Sequence, residues 1–174
     1  MLTGLMSQFP HADRPDVMNA RYERLVLLAL ALSAAFVGLW ALLAPASFYA
    51  GFPGAARHWV AVDGPFNEHL VRDVGALNCA LCVLSLVALL RPERALVRAT
   101  GLTWLIFAVP HLAYHADHLG LYNRMDQVLN LVSLGGVVVL AATLVLPKPK
   151  GDSAPATVPL PGTPVVDKAT GATL

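Results

Sequence analysis

Four apolar stretches constrain this chain more than any other feature: residues 25–43, 70–90, 95–119 and 128–146. Each approaches the roughly 20 residues that an α-helix needs to cross a hydrocarbon core of about 30 Å. In lipid a spanning segment must satisfy its own backbone hydrogen bonds, so four such runs predict an all-α, four-transmembrane-helix bundle. The composition agrees, with 56% hydrophobic and 13% charged residues, too apolar for an ordinary soluble domain of this length. Twelve Lys and Arg against eleven Asp and Glu leave no basic footprint for nucleic acid.

The organisation follows from these runs. Residues 1–20 form a polar segment punctuated by Pro10 and Pro15, 21–146 the membrane domain, and 147–174 a Pro-, Ala-, Thr- and Gly-rich tail expected to be disordered. The first run is longer than the apolar region of a signal peptide, and Pro45 sits awkwardly in Ala44-Pro45-Ala46, so it reads as a retained helix. The aromatic-rich loop 45–66 suits a membrane–water interface, with a short interfacial helix expected near 55–62. Arg14, Arg21 and Arg24 precede the first run, Arg91, Arg94 and Arg98 join the second to the third, and Lys148 and Lys150 follow the fourth. The positive-inside rule then predicts a multi-pass protein of the cytoplasmic (inner) membrane with both termini inside. The lipid bilayer is the first partner; a homo-oligomer or a membrane partner is compatible with the same composition.

This orientation brings two polar patches to the outer side. Asn67-Glu68-His69-Leu70-Val71-Arg72-Asp73 opens the second run, and Pro110-His111-Leu112-Ala113-Tyr114-His115-Ala116-Asp117-His118 closes the third. His111, His115 and His118 fall at about 0°, 40° and −20° around one helix, a single stripe, although about 10 Å of rise separates the first from the last. Pro110 can bend the helix there by removing one of its hydrogen bonds. His69 and Asp73 are four apart, the arrangement in which a carboxylate holds the second N–H of a ligating imidazole. Glu68 and Arg72 are also four apart and read as a salt bridge or, with Glu68 as general base and Arg72 as anion holder, as catalytic groups. Ionisable groups this close to hydrocarbon are functional candidates.

The expectation is an outward His/carboxylate site built from His69, Asp73, His111, His115 and His118, holding a divalent transition metal (Zn, Fe, Cu or Mn), with catalysis as its extension. Two alternatives stand beside it. One is a non-enzymatic membrane subunit whose polar patch holds helices or a partner. The other is a haem- or quinone-linked redox protein, with His69 and a histidine of the third run as axial ligands. Cys79-Ala80-Leu81-Cys82 lacks the second cysteine pair that a thiol relay of the vitamin K epoxide reductase or disulfide-forming type requires, and reads as small packing residues. Asn78 is expected to bond between helices, and Gly135-Gly136 to allow a close helix contact.

The two patches, as quoted, resemble those of small four-helix bacterial integral membrane proteins that have no assigned activity. The arginine-then-glycine pattern of Arg72 and Gly75 is similar, more loosely, to DoxX-like membrane proteins. The resemblance covers about residues 21–146. It implies the fold and the membrane location, and no residue roles.

Overall fold

The computed structural model describes residues 17–146, which form five α-helices and one 3-10 turn. They are α1 (Val17–Leu43), α2 (Pro45–Gly51), α3 (Glu68–Leu90), α4 (Arg94–Asp117), the turn Leu119–Leu121, and α5 (Arg124–Val145). Four of them, α1, α3, α4 and α5, are long and apolar enough to cross a membrane. The protein is an all-helical, multi-pass bundle, and its large exposed apolar side chains, such as Ile106 at 77%, are what a lipid-facing surface requires. The polar segment expected over 1–20 yields its last residues to α1, and the tail expected over 147–174 lies outside the described residues.

Local chemistry sets the helix ends. Asn67 accepts a hydrogen bond from Leu70 N (3.2 Å) and Asn123 one from Asp126 N (3.0 Å), capping α3 and α5. Glu68 and Asp126 lie in the first turns of these two helices, where the dipole favours an acid. Pro92 cannot continue α3, which is capped at Arg91. The short helix expected near 55–62 lies instead at Pro45–Gly51. Pro45 takes the first helical position, where its missing N–H costs nothing. Gly54, Ala55 and Ala56 all have positive φ, a backbone that no right-handed helix can include.

The bundle is built as two pairs. α1 packs most extensively on α3, and α4 on α5, while contacts between the pairs are sparser. Glycine sets the first pairing: a Cβ on Gly75 would lie 2.6 Å from Leu42 N, and one on Gly38 would lie 2.9 Å from Cys79 N and Sγ. Gly101 does the same for the second, against Ala141 O at 2.9 Å. The expected contact at Gly135-Gly136 does not form, because a Cβ on either would meet nothing within 4 Å. The two cysteines are free, and Cys79 belongs to the α1–α3 contact.

At the end carrying Arg91 and Arg94, Leu27, Leu30, Leu81, Val97 and Leu144 close the interior. Trp104 Nε1 donates to Ser85 Oγ at 2.9 Å, and Ser85 Oγ donates to Leu81 O at 2.8 Å, so the polar atoms of this closure are paired. At the opposite end, called here the cap end, the 52–67 segment folds over the gap between the pairs.

A candidate ligand cavity between the helix pairs

The two polar patches do not meet. On α3 the residues facing the interior are Leu70, Val71, Val74 and Asn78. At 100° per residue these span an arc of about 100°, and positions 68, 69, 72 and 73 all fall outside it, mostly on the opposite half of the helix. Glu68 and Arg72 pair with each other (Nε to Oε1, 2.8 Å), and the Arg72 guanidinium also donates to Leu42 O at the end of α1. That arrangement ties α3 to α1, and neither residue lines the space between the helix pairs. His69 and Asp73 form a second local pair, Nε2 to Oδ2 at 3.3 Å, with side chains 83% and 60% exposed. The expected convergence of His69 with His111 or His115 is therefore replaced by pairing within α3. Each of these polar groups found its partner one turn away, at far less entropic cost than one across the bundle.

The histidine stripe also divides. His111 and His115 are half-buried, their rings 4.8 Å apart and edge to face, and both line the interior. His118 caps α4, stacks on Tyr114 at 4.1 Å and turns outward. Among the described residues no group of three or more His, Cys, Asp or Glu is arranged to hold a metal ion. An axial pair of His69 with His111 or His115, needed for the haem alternative, is likewise not assembled, since His69 sits on the far side of α3.

What the pairs enclose is a cavity of about 580 Å³. Its floor is Trp104 and Val137, each 13 residues and so about 20 Å from the cap end of its helix. One wall carries Phe36, Phe48 and Phe52, which contact one another in a cluster. The facing wall is a ladder on α4: Trp104 lies 6.5 Å from Phe107, and Phe107 stacks on His111 at 5.2 Å and 18°. Phe36, Leu70 and Val74 line the cavity and are also 51%, 58% and 41% exposed, so it opens sideways in the gaps between the two pairs.

Polar groups are few: His111, His115 and Asn130 lie toward the cap end, and Ser33, Asn78 and Ser133 lie deeper, each of these three donating to a carbonyl of its own helix. Asn130 and His111 each stand six residues, about 9 Å, from the cap ends of α5 and α4. Asn130 is 1% exposed, and its Oδ1 has no hydrogen-bond partner; Trp59 Nε1 is also buried without one. Such orphans are rare and costly in a folded protein. Asn78, on the opposite wall, is satisfied by its own helix through Val74 O at 2.9 Å and makes no bond between helices.

The cap is tied down by polar contacts to α4 and α5. Arg57 forms an ion pair with Asp126, which also accepts from Asn123 Nδ2 at 2.7 Å. Tyr114 donates to Asp63 Oδ1 and Tyr122 to Trp59 O, both at 3.1 Å, and the Tyr122 hydroxyl lies 3.4 Å from His115 Nδ1. Tyr49 donates to Gly64 O at 2.7 Å. Burial, with Asp63 and Tyr114 nearby, pushes the Tyr122 phenol up to about 12.

Of the residues that border the cavity, sequence reasoning singled out His111 and His115, as metal ligands, and did not single out Asp63, Trp59 and Asn130. Asn130 carried a readable signal, an amide one turn before Ser133 in an otherwise apolar run; Asp63 and Trp59 sit in irregular chain with no periodicity to place them. Comparison of the chain with protein-family models, with curated proteins and with solved structures finds no match.

Proposed function

We propose that the chain is a protein of the cytoplasmic membrane that binds a small lipophilic molecule in the cavity between its helix pairs. Both termini face the cytoplasm and the cap end faces outward, as the distribution of Arg and Lys suggests. The observation that carries this reading is the cavity itself, about 580 Å³ with apolar, aromatic walls and few polar groups, the unsatisfied Asn130 among them. That volume lies within the range of about 300–1,000 Å³ typical of small-molecule sites, and so does the balance of apolar wall to polar contact. The sideways openings give a lipid-dissolved molecule a route in that avoids water. A transition-metal centre has thinner support, because only His111 and His115 of the five expected ligands share the cavity.

A neutral, environment-sensitive dye titrated into the protein in nanodiscs tests this. Saturable binding near one dye per chain is expected, above the partitioning into empty discs. Ala108→Phe, placed in a wall where Ala108 is 4% exposed, should abolish it, whereas Ile106→Phe on the lipid-facing surface should not. Dye uptake indistinguishable from empty discs would overturn the reading. For orientation, reporter fusions after residues 60 and 123 should read outside and one after residue 93 inside; the reverse pattern would refute it.

A further inference from the structure

Resting on the reading of the cavity as a ligand site, we propose that its occupant is a neutral lipophile bearing a hydroxylated ring, a phenol in chemical terms. Its hydroxyl would sit at the level of Asn130 and His111. Three observations narrow the class.

The first is charge. No Lys or Arg lines the cavity among the described residues; of the cap-end arginines, Arg57 pairs with Asp126, Arg72 with Glu68 and Leu42 O, and Arg124 is exposed on α5. Asp63 adds an acid at the mouth. An anion such as a fatty acid or a phosphate would enter this low-dielectric space without a counter-charge. The occupant is therefore not an anion, and Asp63, the one acid of the lining, already accepts from the Tyr114 hydroxyl and is not a free counter-charge for a cation.

The second is the unanswered hydrogen bonding. The Asn130 amide borders the cavity, 1% exposed, with Oδ1 unpartnered. At the same depth on α4 stands the His111 imidazole, and Trp59 Nε1, also unpartnered, lies toward the cap. An amide and an imidazole each offer both a donor and an acceptor. A hydroxyl, which donates and accepts at once, answers either group whichever way round it is turned. An ether or a hydrocarbon does not.

The third is shape. The Phe36–Phe52–Phe48 cluster on one wall faces the Trp104–Phe107–His111 ladder on the other. Two aromatic walls favour a planar ring between them, stacked or edge to face. A water molecule would satisfy Asn130 but leave both walls without a partner.

The test uses tail-brominated 4-octylphenol, 4-octylanisole and 4-octylbenzoate, titrated into the full chain in nanodiscs and read by quenching of tryptophan fluorescence above the empty-disc baseline. The phenol should bind at least about tenfold tighter than the anisole, because the methyl ether leaves a buried acceptor unmade. The benzoate should bind weakest. Asn130→Leu should weaken the phenol about tenfold and leave the anisole unchanged, which a general loss of folding would not do. Equal binding of phenol and anisole to the wild-type protein, a comparison that needs no variant, overturns this inference and leaves the cavity reading standing. Tightest binding of the benzoate overturns it as well. Saturable binding by none of the three, together with no dye binding, overturns both.

Discussion

Gly75 is where the α1–α3 contact is least able to yield, so Gly75→Ala tests the two-pair architecture directly. The new Cβ would lie 2.6 Å from Leu42 N, 2.9 Å from Leu42 Cα and 3.0 Å from Gly38 O. All three are backbone atoms, so no side-chain rotation relieves the clash. The helices must separate by roughly 0.8 Å, the difference between 2.6 Å and the 3.4 Å at which ordinary contact begins. A radial gap of about 0.5–1 Å forfeits a quarter to a half of each dispersion contact across an interface. Overpacking of this kind costs about 1–3 kcal/mol. Against it stands the gain of about 0.5–1 kcal/mol for Ala over Gly inside a helix. The net loss is about 1–2 kcal/mol, or about 3–7 °C in Tm for a chain of this size. Thermal unfolding in detergent, followed by helical circular dichroism, measures it. Gly135→Ala is the matched control: its Cβ meets nothing within 4 Å, so only the helix gain remains and stability should hold or rise. If Gly75→Ala proves as stable as Gly135→Ala, α1 and α3 are not in backbone contact and the pairing is wrong.

The other predictions concern the two ends of the cavity. Ser85→Ala strands the Trp104 indole N–H in a fully buried site and should cost about 1–2 kcal/mol, whereas Thr103→Ala, on an exposed face, should change stability by less than about 0.5 kcal/mol in the same melts. Arg57→Ala leaves the Asp126 carboxylate, 12% exposed, without its cation and should cost about 1–3 kcal/mol while speeding amide exchange across 54–64; adding Asp126→Asn should recover part of the loss, and strict additivity would refute the pairing. The Tyr122 phenol is held above its ordinary value near 10, so its contribution is complete below about pH 10 and is lost as pH rises toward about 12. Wild-type stability should therefore fall more steeply across that window than that of Tyr122→Phe, and parallel profiles would count against the buried hydroxyl.

The sequence by itself determined the four membrane helices and the all-α class, because these are local properties, although α1 and α5 begin eight and four residues before the apolar runs that mark them. Hydropathy sets which segments leave water, backbone self-satisfaction makes them helices, and Asn67, Asn123, Pro45 and Pro92 mark ends within a residue or two. Which face of each helix turns inward was decided only in the tertiary structure. In a soluble bundle an apolar stripe marks the interior, but a membrane helix is apolar all round, and lipid rewards no particular face. Polar residues were the remaining markers, and they misled by proximity. Glu68, His69, Arg72 and Asp73 drew attention as an ionisable cluster, yet each found a partner within α3 and stayed outside the cavity. Asn130, whose neighbour one turn back, Asp126, is taken by Arg57 and Asn123, went inward with His111. The α1–α3 approach at Gly38 and Gly75 depends on two helices meeting at one depth, a long-range register that no local pattern in either segment encodes.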